Sequence, residues 1–208
     1  MSRSTENNTS LTLLNLVRRN DPRAWETFVK LYAPLVYSWC RAAGLQPADV
    51  ADVAQEVFHT LHGKLDTFEP GRRQTGAFRA WLWGITRLKL LEHHRAARRQ
   101  PVGKGGSAAD IRIEQLQTDV DEADTSLSLN SKQILVTSAL QMLKSEFEPQ
   151  TWQAFWLMSV EGLQAREVGE RLNMTAQAVR QAKYRVARRT REFLNAELGN
   201  ERVALSST

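Results

Sequence analysis

Apolar residues in this chain return at every third and fourth position, the interval that stacks side chains on one face of an α-helix. Trp25, Phe28, Val29, Tyr32, Val36 and Trp39 make the first long stripe of this kind. Asp21-Pro22 stands just ahead of it as an N-cap followed by a proline in the first turn, and a shorter helix is expected before that, over 11–19. Gly44 closes the long helix and Pro47 opens another, in which Val50, Val53, Val57 and Leu61 form an inward face while Asp49, Asp52, Gln55, Glu56 and His59 look outward. After a loop at 66–76, a helix over 77–99 turns Phe78, Trp81, Leu82, Ile85 and Leu88 to one side. Arg79, Trp83, Arg87 and the cluster Arg95, Arg98 and Arg99 extend around its other sides, so Trp83 is expected to be more exposed than Trp81. Helicity resumes near 131 with Leu135, Ala139, Leu140 and Leu143, and a further helix over 151–159 carries Trp152, Phe155 and Trp156. Alternating strand-like runs are almost absent, which makes the expected class all-α.

The segment 165–184, AREVGERLNMTAQAVRQAKY, places two short helices around one tight turn. Val168 and Leu172 share a face at i, i+4, and Gly169 beside them permits a close crossing that offsets glycine's helix cost of roughly 1 kcal/mol. Asn173 tolerates the left-handed conformation of a sharp helix exit, Met174 turns inward, and Thr175 suits the N-cap of the next helix. Val179 and Ala182 close the small core and leave Gln177, Arg180, Gln181, Tyr184 and Arg185 outside. Arginine pairs bidentately with guanine and glutamine with adenine, so this face fits base edges in a DNA major groove, with Arg188, Arg189 and Arg191 suited to phosphates. An ordinary amphipathic hairpin with solvated charges is the plainer reading. The filled small and apolar positions and the near absence of acid between 175 and 191 favour the helix-turn-helix.

A chain of 208 residues with a formal charge of +5 allows two small helical domains and favours an anionic partner. The charge is clustered. Between 72 and 104 stand nine basic residues, Arg72 and Arg73 among them, against the single acid Glu92. Between 110 and 124 stand six acids against Arg112. The glycines, proline and serine of 101–107 begin a flexible connector. The expected layout is a tail at 1–10, a domain at 11–100, an acidic linker at 101–130, a helix-turn-helix domain at 131–198 and a tail at 199–208. The lysine spacing of Gly103-Lys104-Gly105-Gly106-Ser107 is wrong for a phosphate loop and no strand precedes it. Cys40 is the only cysteine and falls in a helical apolar pattern, so it reads as a buried thiol. The first ten residues lack the apolar stretch of a signal peptide and no segment nears the ~20 apolar residues of a membrane span, so a cytoplasmic location is expected.

Two basic, aromatic-bearing helical domains joined by an acidic connector resemble the extracytoplasmic-function class of bacterial RNA polymerase sigma factors. The resemblance covers 11–195 and rests on DVAQEVF at 52–58, FRAWLWGITRLKLLEHHRAARR at 78–99 and EGLQAREVGERLNMTAQAVRQAKYRVARR at 161–189. It implies that the first segment docks on a coiled coil of the polymerase clamp, through Asp52, Gln55, Glu56 and Phe58 with Asp49 on the same face. It implies that the second opens and holds the minus-ten element, with Phe78, Trp83, Arg79, Arg87, Arg95 and Arg98 facing single-stranded DNA and Arg72 and Arg73 in the loop beside a flipped-base pocket. Unpaired bases need stacking surfaces and phosphates need cations, and this segment supplies both. The third segment would read the minus-thirty-five element through Thr175, Gln177, Arg180, Gln181, Tyr184, Arg185 and Arg188. The implied partners are promoter DNA and core RNA polymerase at its clamp and flap, with an anti-sigma factor as a further candidate. Where the family usually has arginine then asparagine, this chain has Arg87-Leu88, its later aspartate is Glu92, and the 66–76 loop is longer than usual.

The competing reading is a free-standing helix-turn-helix regulator, which usually dimerises over two half-sites and needs neither the aromatic-basic helix nor the outward acids. A metal enzyme is a third: His59 and His62 stand at i, i+3 and His93-His94 lie on another helix, but nothing fixes their convergence on a zinc ion. No Ser/His/Asp or paired-carboxylate arrangement stands out. No enzymatic activity, metal, cofactor or small-molecule substrate is therefore expected.

Overall fold

A computed structural model describes residues 13–69, 77–99 and 127–198, and within them every regular element is helical. The helices are α1 (Leu13–Arg18), α2 (Pro22–Ala42), α3 (Pro47–Lys64), α4 (Ala77–Arg99), α5 (Leu127–Leu143), α6 (Pro149–Ser159), α7 (Ala165–Leu172) and α8 (Ala176–Leu198), with short 3-10 turns at Leu65–Thr67 and Lys144–Glu146. The two expected tails, the loop arginines Arg72 and Arg73, the acidic stretch 110–124 and the glycine-rich start of the connector lie outside the described residues. So does the side chain of Arg98.

Local chemistry sets the boundaries. The Asp21 carboxylate accepts the N–H groups of Arg23 at 2.9 Å and Ala24 at 3.0 Å, satisfying two of the donors left open at the start of α2. Gly44, at φ +91°, lets the chain leave α2 for α3. Asn20, at φ +57°, ends α1 just after Arg18, one residue short of the expected end. α5 begins at Leu127 and α6 at Pro149, each a few residues before the apolar pattern pointed. The first residues of a helix bury little, so periodicity does not mark them.

The expected inward faces of α2 and α3 are buried, Phe28, Tyr32, Val36 and Trp39 against Val50, Val53, Val57 and Leu61. Arg18 adds a contact that no pattern announced: its Nε donates to the Leu65 carbonyl at 3.2 Å and its guanidinium to the Phe68 carbonyl, fastening α1 to the turn after α3.

α4 departs from expectation. Trp83 is 3% exposed and sits edge-to-face on Trp39 of α2, ring centroids 5.4 Å apart, whereas Trp81 is only half-buried. Leu88, expected inward, is 44% exposed. The buried face of α4 runs through Phe78, Leu82, Trp83, Thr86 and Leu90, about half a turn away from Leu88. Apolar side chains cover most of this helix's circumference, and the Trp39 surface selected which of them went inside.

The two halves do not keep wholly separate cores. Leu135 and Ala139 of α5 and Leu194 of α8 join the cluster built by α1 to α4, with α5 lying along α2 and the end of α8 reaching α1. Two smaller clusters belong to the carboxyl-terminal half alone, one around Val168, Val179 and Ala182, the other around Trp152, Phe155 and Val186. Among the described residues no helix is long and apolar enough to cross a membrane.

Candidate nucleic-acid and polymerase interface

The turn between α7 and α8 is built as the residue types dictate. Asn173 adopts φ +53° and ψ +47°, and the Met174 N–H then donates to the Gly169 carbonyl at 2.9 Å. Gly169 is required by that turn: a Cβ there would lie 2.5 Å from the Met174 carbonyl oxygen. Thr175 Oγ1 accepts the Ala178 N–H at 3.1 Å and so caps α8. At the start of α7 the Glu167 carboxylate accepts the Gln164 N–H at 2.8 Å, and Gln150 of α6 donates to the Leu172 carbonyl at 2.7 Å. These contacts fix α7 and α8 as one rigid corner.

Val168, Val179 and Ala182 are fully buried, and Gln177, Arg180, Gln181 and Arg185 are exposed on the far side of α8. Tyr184 projects among them, 63% exposed. The Arg188 guanidinium lies 5.9 Å from the Tyr184 ring centroid and 3.5 Å from Glu192, which holds it beside the same face. Arg189, grouped above with phosphate ligands, is instead occupied: its Nε and an Nη donate to both oxygens of Glu146 at 2.7 and 2.9 Å. That fork-on-carboxylate pair ties α8 to the turn before α6. Sequence reading missed it because Glu146 lies 43 residues away.

On α3, Asp52, Gln55, Glu56 and His59 are exposed and Asp49 is half-buried. α4 partly answers this acid: Lys89 Nζ stands 3.6 Å from Glu56 and 2.9 Å from Glu92, and His93 Nε2 is 3.9 Å from Asp49. The Glu92 hydrogen bond raises the Lys89 pKa above its ordinary value; desolvation opposes it, and the charges of Glu92 and Glu56 add to the rise. A shallow depression of roughly 450 Å³ opens here between Gln55, Glu56, His59, Thr60 and Lys89. Phe58, grouped with the clamp residues by resemblance, is 9% exposed and packs edge-to-face on Trp25 and Phe28. It braces the acidic face from behind.

On α4, Phe78 is buried against Phe28, Tyr32 and Phe68, so of the three aromatic residues only Trp81 shows ring surface. Phe68 and Phe78 back that ring at 5.1 and 5.7 Å. Arg79 and Arg87 are half-buried and Arg95 is exposed. No group of three or more His, Cys, Asp or Glu among the described residues could hold a metal ion. The arrangement offers charge, hydrogen-bond donors and ring faces, which are the means of binding nucleic acid.

Comparison with known proteins gives the same picture. Residues 28–100 match the model of Sigma-70 region 2, a span that takes in most of α2 and all of α3 and α4. Over 175 residues the chain is 26% identical to the ECF RNA polymerase sigma factor SigE of Mycolicibacterium smegmatis. The aligned part is 82% of this chain and 62% of that protein, so the chain spans about three fifths of the length of this relative. The chain thus carries a match to Sigma-70 region 2 at 28–100 and is similar along most of its length to an extracytoplasmic-function sigma factor.

Proposed function

We propose that this chain directs core RNA polymerase to a set of promoters and helps melt the DNA there, with no catalytic chemistry of its own. The observation that carries the reading is the separation of three faces on one molecule. An acidic and amide face on α3 suits a basic coiled coil of the polymerase clamp, α4 presents cations and one ring face suited to an unpaired strand, and α8 presents arginine, glutamine and tyrosine suited to a duplex major groove. A free-standing regulator needs the third face alone.

In detail, Asp52, Gln55 and Glu56 make the clamp contact, with Asp49 at its margin. Arg79, Arg87 and Arg95 hold the minus-ten strand, with Trp81 taking the stacking role first given to Trp83. Gln177, Arg180, Gln181, Tyr184 and Arg185 read the minus-thirty-five duplex while Arg188 grips its backbone. The polymerase flap and an anti-sigma factor are further partners, and the place of action is the cytoplasm.

The test is co-purification of the chain with core RNA polymerase. The expected result is stable association, largely lost in Asp52→Arg plus Glu56→Arg, since reversing two exposed charges repels a basic surface without touching the core. Absence of association, or association indifferent to the double reversal, would remove the reading.

A further inference from the structure

α8 is dense in cations: Arg180, Lys183, Arg185, Arg188, Arg189 and Arg191 stand on it with no acid between them. Arg189 follows Arg185 by one turn and sits between that exposed residue and the buried Val186, at the edge of the face offered to duplex. Cations flanking a base-reading face are the ones that grip phosphates. Arg189 nevertheless turns its forked edge to the protein itself: Nε and an Nη donate to the two oxygens of Glu146 at 2.7 and 2.9 Å. That edge is the one an arginine lays on a phosphate, two parallel N–H groups on two oxygens. A carboxylate therefore stands where a phosphate would, and it cancels the charge as well as filling the donors.

Glu146 is not required by its own turn. The turn at Lys144–Glu146 closes through backbone, the Phe147 N–H donating to the Lys144 carbonyl at 3.3 Å. Nor does the pair hold the fold together, since the two side chains are 40% and 44% exposed and a pair so open to solvent stabilises little. DNA can reach both groups and compete for the arginine. The surroundings oppose that competition: Glu148 and Glu161 line the depression beside Glu146, against Lys144 as its one cation among the described residues. A phosphate approaching Arg189 from this side meets a net negative wall.

We propose that Glu146 is an internal competitor of DNA phosphate, which withholds Arg189 and takes one sequence-independent contact out of the duplex interface. Glu146 thereby sets how much of the hold on duplex comes from charge alone, and leaves more of it to Gln177, Arg180 and the other base-facing side chains. This rests on the duplex-reading role of α8 proposed above and goes beyond it by assigning a residue outside the helix-turn-helix that limits the binding.

The test measures binding of the full chain to a fluorescent duplex of random sequence, by anisotropy across a series of salt concentrations. Wild type, Glu146→Gln, Arg189→Ala and the double variant are compared. Both side chains are partly exposed, so neither replacement disturbs the core. Glu146→Gln is expected to bind up to about fivefold tighter, the strength of a half-exposed pair, with a salt slope steeper by about 0.9, the value for one added phosphate contact. Arg189→Ala keeps the wild-type slope, because its arginine was not on phosphate, and the double variant returns to that slope. A pair that only tethers α8 to the turn is broken equally by either single replacement, which would shift both variants in one direction. A pair that matters only through net charge would shift them by equal amounts in opposite directions. Either pattern, or a Glu146→Gln slope equal to that of the wild type, overturns the competition and leaves duplex reading intact. Failure of every variant to bind duplex removes the role of α8 itself.

Discussion

Replacing Gly169 by alanine sets two known effects against each other at one atom. Alanine in a helix interior gains up to about 1 kcal/mol over glycine. The added methyl carbon, however, would stand 2.5 Å from the Met174 carbonyl oxygen and 3.5 Å from the Ala176 nitrogen. Reaching even the tightest observed separations requires a shift of 0.5 Å, the difference between 3.0 and 2.5 Å, and ordinary contact requires 0.9 Å, the difference between 3.4 and 2.5 Å. The obstacle is backbone, and it is held: the Met174 N–H is bonded to Gly169 itself at 2.9 Å, and Asn173 before it is fixed in the left-handed region. Forced repacking of this kind costs about 1–3 kcal/mol, so after the propensity gain the net expectation is a loss centred near 1 kcal/mol and reaching about 2 kcal/mol. For a chain of this size a loss of about 1 kcal/mol lowers the melting temperature by roughly 2–4 °C. Gly84→Ala is the internal control, because the same propensity gain meets no neighbour there and should stabilise by about 0.5–1 kcal/mol. Urea unfolding followed by helical circular dichroism measures both. The turn that moves also sets the angle of α8, so Gly169→Ala should weaken duplex binding by more than its unfolded fraction explains. A Gly169→Ala protein as stable as the wild type, or one that matches Gly84→Ala in sign, would refute the close-approach argument.

Other outcomes follow from α8 and from the buried thiol. Arg180→Ala should weaken binding to a specific upstream element by about 1–3 kcal/mol, whereas Arg188→Ala should weaken all duplex sequences alike and reduce the salt slope by about one, as expected of base and phosphate contacts; equal losses on matched and random DNA for both would contradict base readout. Burial pushes the Cys40 thiol from 9.0 up to about 12. The unfolded chain gives up this proton first as pH rises, so the stability held by the neutral thiol is complete below pH 9.0 and drains away toward pH 12. Wild type should then lose stability relative to Cys40→Ala by up to about 1.4 kcal/mol per pH unit in that window, and a difference that stays flat on raising the pH would contradict it.

What could be read in advance was what neighbouring residues decide. The left-handed Asn173, the cap at Thr175 and the small residue at Gly169 belong to one tight turn, and each residue type is chosen by geometry within six positions of itself. The inward faces of α2 and α3 were legible because each carries polar residues on its other side. α4 was not: with Phe78, Trp81, Leu82, Trp83, Ile85, Leu88, Leu90 and Leu91 around it, periodicity leaves the buried side open, and Trp39 on another helix decided it. Arg189 paired with Glu146, and Arg18 on two distant carbonyls, are long-range polar contacts with no periodic signature. The packing of α5 along α2 was equally silent, since a stripe with Leu135 and Ala139 says that a face is covered and not by what.

The central claim is that one molecule engages polymerase, an opened strand and intact duplex together. It is tested most directly by adding the purified chain to core RNA polymerase on fragmented genomic DNA and sequencing the RNA 5′ ends. The account predicts a restricted set of start sites, absent with core polymerase alone and preceded by a shared pair of elements, the upstream one losing its influence in Arg180→Ala. Start sites that are the same with and without the chain would contradict it.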